Sequence, residues 1–461
     1  MPEPLFDAFA WVFIVIMFLM IVLPYIFKRS DLLTTWNFFL AGSGLFVGYS
    51  VVNSSYSSHM VPYSNMDYLL YWLGALAFYG TITFVYYRFK FPRKLSTKIL
   101  QKWPPTKPAV LFFMIPLAGF FMLGILFPQL LAFAGGRALM GYTAVPAIIL
   151  PPALAFAAWY KQRINLIFFL VAIIVAGIVM VFLIRYAPTR RPFLSLLLSF
   201  AMIMYWMRWR YKKPILIVAL AGISVPLLIL AITIYTENRW EKKGGFSETT
   251  EIAKEKLHSM FLLDFSKVPV LLKTDTAECA LLSVHMYTND KTPRPFYTAY
   301  WLITNPIPRV FWSGKPDSLS MTIPHDGRML YGLSNAYVSE GNNWGCSIIG
   351  HGYHDGGIPV LMVYAIILGI FLRTIDELLM AQPDNPYLIA GVSTFLGEII
   401  AWSRGDIGGF TLIIIAYGAV VWFICRVGRL IYGTRLASSN SSKKILVRKT
   451  LRACPKGGTG T

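Results

Sequence analysis

Runs of about 20 consecutive apolar residues recur along this chain, the length a helix needs to cross a hydrocarbon core of roughly 30 Å. In lipid, backbone amides find no water, so a chain built from such runs folds as packed helices whose hydrogen bonds close internally. With 56% hydrophobic and 14% charged residues over 461 positions, an ordinary soluble fold is excluded. The pattern predicts an all-α polytopic membrane protein. Its eleven expected helices lie near 8–27, 33–51, 67–87, 109–128, 140–159, 164–184, 193–207, 214–235, 357–379, 387–403 and 408–432. The first run follows Glu3 and Asp7 and has no small-residue cleavage site, so it is expected to be retained, with its N-terminus outside.

The formal charge of +20 would suggest nucleic acid in a soluble protein, but cytoplasmic loops of membrane proteins collect Lys and Arg. The segment "RFKFPRKLSTKILQKWPPTK" carries seven cations and no acid, "RWRYKK" four, and the tail beyond Val420 nine with no acid. All fall on one side when the spans alternate, which predicts a cytoplasmic C-terminus and no nucleic-acid partner. The organisation expected is helices over 1–235, a large outer loop over 236–356, three helices over 357–432 and a basic disordered tail over 433–461. The loop balances 12 Lys and Arg against 13 Asp and Glu. Within it, "FSKVPVLLKT" and "AECALLSVHMY" read as short amphipathic helices at the membrane surface. Cys279, Cys346, Cys425 and Cys454 share no metal-ligand spacing, and whether Cys279 and Cys346 pair is left open.

Cations on the outer side then become informative, because the positive-inside bias works against them. They are Arg137, Arg185, Arg190 and Arg191 in "RYAPTRRPF", Arg309 and Lys315 in "NPIPRVFWSGKP", Arg328, and Arg404 in "SRGDIGG". A single arginine can snorkel to lipid phosphates. A set drawn from separate loops fits an anionic ligand, since the planar guanidinium pairs with phosphate bidentately. The apolar surroundings suggest that this anion arrives on a lipid. Prolines 306, 308 and 316 stiffen the segment that carries Arg309 and Lys315. Tyr300, Trp301 and Trp312 are candidates for stacking on a sugar, or belong to an interfacial aromatic belt. Glu340, His351 and His354 are candidate general bases within a glycine-rich stretch, and Glu340 could equally pair with an arginine. Asp406 either orients Arg404 or touches substrate. No nucleotide-binding motif is present, and the pair His351 and His354 is a weak metal signal, so no metal and no cofactor are expected.

"NPIPRVFWSGKP", the following Glu-Gly-Asn-x-x-Gly stretch and "SRGDIGGF" resemble the bacterial oligosaccharide repeat-unit polymerases of the Wzy type, which build O-antigen and capsule. Arg309, Trp312, Lys315, Pro316, Glu340 and Arg404 occupy the matching positions, while Ser313 stands where those proteins have proline. The R-x10-G signature of some polymerases is absent, since Arg294, Arg309 and Arg328 have Asn305, Ser320 and Ser339 at that distance. The resemblance implies a GT-C-like glycosyltransferase at the periplasmic face of the bacterial inner membrane. Its substrate would be undecaprenyl-diphosphate-linked oligosaccharide. The residue roles of the polymerases with the R-x10-G signature are not carried over. It is the outward-cation pattern that makes Arg190, Arg191, Arg309, Lys315 and Arg404 the expected holders of the diphosphate, Arg309 also acting in catalysis. The resemblance also implies a chain-length regulator as partner, besides the surrounding membrane lipids. Two other functions fit the same residues: an O-antigen ligase using the same donor, and a flippase or transporter of the lipid-linked oligosaccharide.

Overall fold

The computed structural model describes residues 3–54, 61–102, 110–127, 136–161, 166–186, 191–210, 215, 217–218, 276–289, 294–307, 311–332 and 345–432. Every regular element among the described residues is helical. Five of these helices are long and apolar enough to cross a membrane. Four are α1 (Glu3–Ile26), α4 (Asn65–Arg88), α14 (Ile358–Ala381) and α17 (Ile407–Tyr432). The fifth is α9 (Arg191–Met204) with the π-helical turn Tyr205–Trp209 that extends it. Shorter apolar stretches, Met114–Gly124, Ala144–Tyr160 and Phe169–Leu183, lie within α6 (Val110–Leu126), α7 (Gly136–Lys161) and α8 (Leu166–Tyr186). The described residues thus give a multi-spanning helical protein in which five helices meet the length and composition of a span. Three more of the eleven expected, 109–128, 140–159 and 164–184, correspond to the shorter apolar stretches. The expected helix 214–235 and the tail 433–461 lie almost wholly or wholly outside the described residues.

Two expected helices are interrupted. The run 33–51 forms α2 (Thr35–Ser43), a π-helical stretch over Gly44–Tyr49 and α3 (Ser50–Ser54). Gly48 sits against Phe13 and Ile14 of α1, where a Cβ would meet Ile14 Cγ1 at 2.6 Å, so the helices touch through bare backbone. The run 387–403 divides into α15 (Pro386–Ser393) and α16 (Leu396–Trp402). At the break, Ser393 Oγ and Thr394 Oγ1 donate to the carbonyls of Ala390 and Gly391 at 2.7 and 2.8 Å. These hydroxyls satisfy carbonyls that a helix ending inside apolar surroundings would otherwise leave open. An additional helix, α5 (Phe91–Lys102), lies in the basic segment that composition marked only as a loop, and it packs against α14.

The remaining helices are α10 (Thr276–Thr288), α11 (Tyr297–Thr304), α12 (Leu319–Tyr331) and α13 (Ser347–His354). Of these, α10 overturns an expectation. "AECALLSVHMY" is no surface helix, because its residues from Thr276 to Val284 are all buried. It packs against α13, α4 and α3, and Ala277 N donates to Ser50 Oγ at 2.7 Å. A disulfide between Cys279 and Cys346 joins it to the entry of α13. The companion stretch "FSKVPVLLKT" lies outside the described residues.

At the opposite end of the bundle, the start of α2 is clamped by Asp376 of α14. Its carboxylate accepts from Thr35 N (2.7 Å), Thr35 Oγ1 (2.9 Å), Trp36 N (3.1 Å) and the Tyr86 hydroxyl (2.7 Å). A carboxylate at a helix N-terminus satisfies free amides and complements the dipole. Asp31 is held nearby in a bidentate pair with Arg210, at 2.6 and 2.7 Å. Asp376→Ala is expected to cost about 3 kcal/mol, since it strands buried donors on two helices, α2 and α4. A Tm of the purified variant equal to that of the parent would show the clamp to be dispensable.

Candidate functional site

The turn Ser403–Asp406 between α16 and α17 is where the separated motifs meet. Ser347 N and Ile348 N, at the start of α13, donate to the carbonyls of Arg404 (2.7 Å) and Ser403 (3.3 Å). The C-terminus of one short helix therefore docks end-on against the N-terminus of another. Gly405 (φ 115°) and Asp406 (φ 59°) both take left-handed conformations. Glycine suits the first, where a Cβ would meet Cys346 N and Ser347 N at 2.9 Å. Aspartate is among the few side chains that visit that region readily.

Asp406 does not orient Arg404 here. Its Oδ1 accepts from Gly409 N at 3.2 Å and its carbonyl from Phe410 N at 3.0 Å, which makes it the cap of α17. Its Oδ2 accepts from Ser320 Oγ of α12 at 3.3 Å. Burial pushes its pKa up, against the opposing pull of the Gly409 amide, Ser320 and Arg191. Arg404 is exposed, and its stem lies over Gly345, where a Cβ would come within 2.5 Å of its Cγ. The side chain faces outward from the junction that fixes its backbone.

Arg191 reaches the same place from α9. Its Nη1 lies 2.6 Å from Oε2 of Glu398 on α16, and its guanidinium carbon sits 4.7 Å from the Phe410 ring centroid. The guanidinium is 24% exposed and the carboxylate 4%. A diphosphate at Arg191 would therefore share it with a buried carboxylate. Glu398 is a site residue the motif reading missed, although the signal was present: a lone acid in the apolar run "TFLGEIIAW".

Three of the expected residues turn out to hold structure. Lys315 Nζ donates to the carbonyls of Asn305 and Ile307, at 2.5 and 3.0 Å, and fastens the loop to the end of α11. Two of its three ammonium hydrogens are thereby directed at backbone. Trp301 is buried against α17, where a Cβ on Gly408 would meet its ring at 2.8 Å, so it is no open stacking platform. His351 is fully buried, and its Nε2 accepts the Asp406 amide at 2.7 Å. Burial lowers its pKa to about 4, with Asp355 opposing and His354 reinforcing the shift. It is neutral at pH 7, with its basic lone pair already occupied, and so cannot serve as the base in this arrangement.

His354 is likewise buried, with Nε2 3.8 Å from Asp326 and Nδ1 3.7 Å from Asp355. These are ion-pair distances, longer than hydrogen bonds. Asp355 in turn accepts from Thr298 N at 3.0 Å and from the Tyr364 hydroxyl. Burial alone would lower the His354 pKa, but Asp326 and Asp355 together raise it, favouring an imidazolium that is a poor base. Tyr300, by contrast, is 48% exposed, and Trp312 is half-buried, so both remain open to a ligand. Arg190, Arg309 and Glu340 lie outside the described residues. Among the described residues no three His, Cys, Asp or Glu side chains group as metal ligands.

The His354 cluster makes a pH prediction with a definite sign. A raised histidine pKa adds stability that is complete below its ordinary value of 6.5 and is lost as pH climbs through the raised value. Asp326 is shifted the other way: burial would raise its pKa, but His354 and Arg294 bring it below the ordinary 3.8, so its share is lost only in acid. Thermal unfolding of the purified protein should show Tm falling above pH 6.5. His354→Gln should flatten that decline; an unchanged decline would place its origin elsewhere.

Comparison with protein-family models, with curated proteins and with solved structures found no match to this chain.

Proposed function

We propose that the protein is a glycosyltransferase of GT-C-like architecture. It joins oligosaccharide repeat units carried on a polyprenyl diphosphate, at the outer face of a bacterial inner membrane. In this reading the N-terminus is outside, the C-terminus is cytoplasmic, and the junction of α13, α16 and α17 faces the periplasm. The growing chain leaves its lipid diphosphate as a sugar hydroxyl of the next unit attacks.

The observation that carries the reading is the convergence at Ser403–Asp406. Arg191 of "PTRRPF", Ser320 just beyond "NPIPRVFWSGKP", Gly345 and His351 of the glycine-rich stretch, and Arg404 of "SRGDIGG" meet there from four separate segments. "PTRRPF", the glycine-rich stretch and "SRGDIGG" are among the stretches that resemble the repeat-unit polymerases, and Ser320 lies four residues past another, "NPIPRVFWSGKP". A departing diphosphate builds negative charge, and fixed cations in a partly dry site stabilise that charge by several kcal/mol. Arg191 is preorganised by Glu398, and Arg404 by the backbone junction beneath it. The disulfide between Cys279 and Cys346 suits an oxidising compartment, which agrees with placing this end outside.

Deleting the gene and running the surface polysaccharide on a gel tests the function directly. Loss of the ladder with a single repeat unit retained is expected. Free polymer left on its lipid carrier would mean a ligase instead, and no change would refute both. Arg404→Ala, and Arg191→Ala combined with Glu398→Gln so that no buried carboxylate is stranded, should each lower polymer formation by about 10²-fold while protein levels hold. Arg404→Lys should recover little, because a point charge lacks the planar fork. Reporter fusions after Lys98 and after Asn289 should read cytoplasmic and periplasmic; the reverse would invert the site.

A further inference from the structure

An apolar groove of about 240 Å³ lies between α14, α15 and α17. Phe371, Ile375, Phe395, Ile414, Gly418 and Val421 are among the residues that line it. Its rim residue Ile415 is 53% exposed, so the groove opens sideways toward lipid. Its upper end adjoins the cation cluster on two helices. Phe395 precedes Glu398, the partner of Arg191, by three residues, and Ile414 follows Phe410, whose ring meets the Arg191 guanidinium, by four. The groove thus begins roughly one helical turn, about 5.4 Å, beyond the charged pair.

We infer that this groove seats the isoprenoid chain of the lipid-linked diphosphate whose phosphates meet Arg191. The inference rests on the proposed function and its orientation. Along α17, Val421 lies 14 residues past Ile407, about 21 Å from the outer end. Half of a hydrocarbon core is about 15 Å. An acyl chain anchored in the outer leaflet ends near the midplane and leaves the lower groove empty, whereas a long polyprenyl chain fills it. Because lipid is as apolar as the lining, the gain comes from close contact along the groove and not from leaving water. Head and tail would then be held by one continuous track, which fixes the angle at which the diphosphate presents the sugar.

Gly418 makes the idea testable. A Cβ there meets no atom within 4 Å, so a leucine projects into the groove without clash, unlike at Gly391, where a Cβ would strike Val421 at 2.6 Å. Gly177 of α8 also has nothing within 4 Å and serves as the control. Native mass spectrometry of the full-length protein would measure binding of undecaprenyl diphosphate and of the short geranyl diphosphate. Gly418→Leu should weaken the long-chain probe about tenfold or more and leave the short one unchanged. Gly177→Leu should alter neither, and Arg191→Ala should weaken both. If Gly418→Leu binds the long chain as the parent does, or weakens both probes alike, the groove does not hold the tail. If an equimolar phospholipid displaces the long probe, the groove belongs to bulk acyl chains. If neither probe binds the parent protein, the proposed function falls together with this inference.

Discussion

The arrangement of the end of the bundle that carries the candidate site depends on the end-on contact between α16 and α13. A buried helix terminus leaves amides or carbonyls unsatisfied, and no water is at hand to take them. Here the two deficits cancel: the carbonyls of Ser403 and Arg404 receive the amides of Ser347 and Ile348. Short helices of 7 and 8 residues, too brief to be stable alone, become one joined unit. That junction positions Arg404 from beneath, presents the Asp406 amide to His351, and leaves Asp406 to cap α17. The disulfide between Cys279 and Cys346 ties α10 into the same unit one residue before the contact. Backbone satisfaction, more than side-chain packing, decides where the candidate site lies.

The same logic operates at the other end with different parts. There the start of α2 finds its acceptor in Asp376, a side chain of α14. Since α14 begins just after α13, one helix links the two polar junctions, with a long apolar packing against α4 between them. Gly369 lets the backbones of α14 and α4 approach, since a Cβ there would meet Val85 at 3.0 Å. The polar junctions supply specificity and the glycine-mediated contact supplies dispersion, the division of labour expected where burial in lipid gives no hydrophobic gain.

Hydropathy located the long helices within a few residues: 67–87 against Asn65–Arg88, 357–379 against Ile358–Ala381, and 408–432 against Ile407–Tyr432. Run length is a direct physical requirement, so it is written plainly in the chain. The breaks are less visible, because Thr394 and Phe395 interrupt hydrogen bonding while the apolar run continues through them. For α10 the signal misled, since Glu278 and Ser283 of "AECALLSVHMY" are buried against neighbours along with its apolar residues. At the site, residue types flagged the right stretches but not their duties. His351 and Lys315 carry chemistry that a catalyst would use, and both bond backbone atoms that the fold brings near.

The pairing of Arg191 with Glu398 explains how a cation can wait in such surroundings. An isolated charge in a low-dielectric site is costly, and a buried partner removes most of that cost without needing to add net stability. In the proposed function the ligand is a diphosphate, which carries more charge than one carboxylate and offers more acceptors, so an arginine already held in place would turn toward it without first being ordered. Phe410 holds the guanidinium from another side, its ring centroid 4.7 Å from the guanidinium carbon. Glu398 then limits how far the guanidinium can swing. Under the proposed function the ion pair would be a preorganising device at the place where α9, α16 and α17 converge, a role that a solvent-exposed arginine on a mobile loop could not fill.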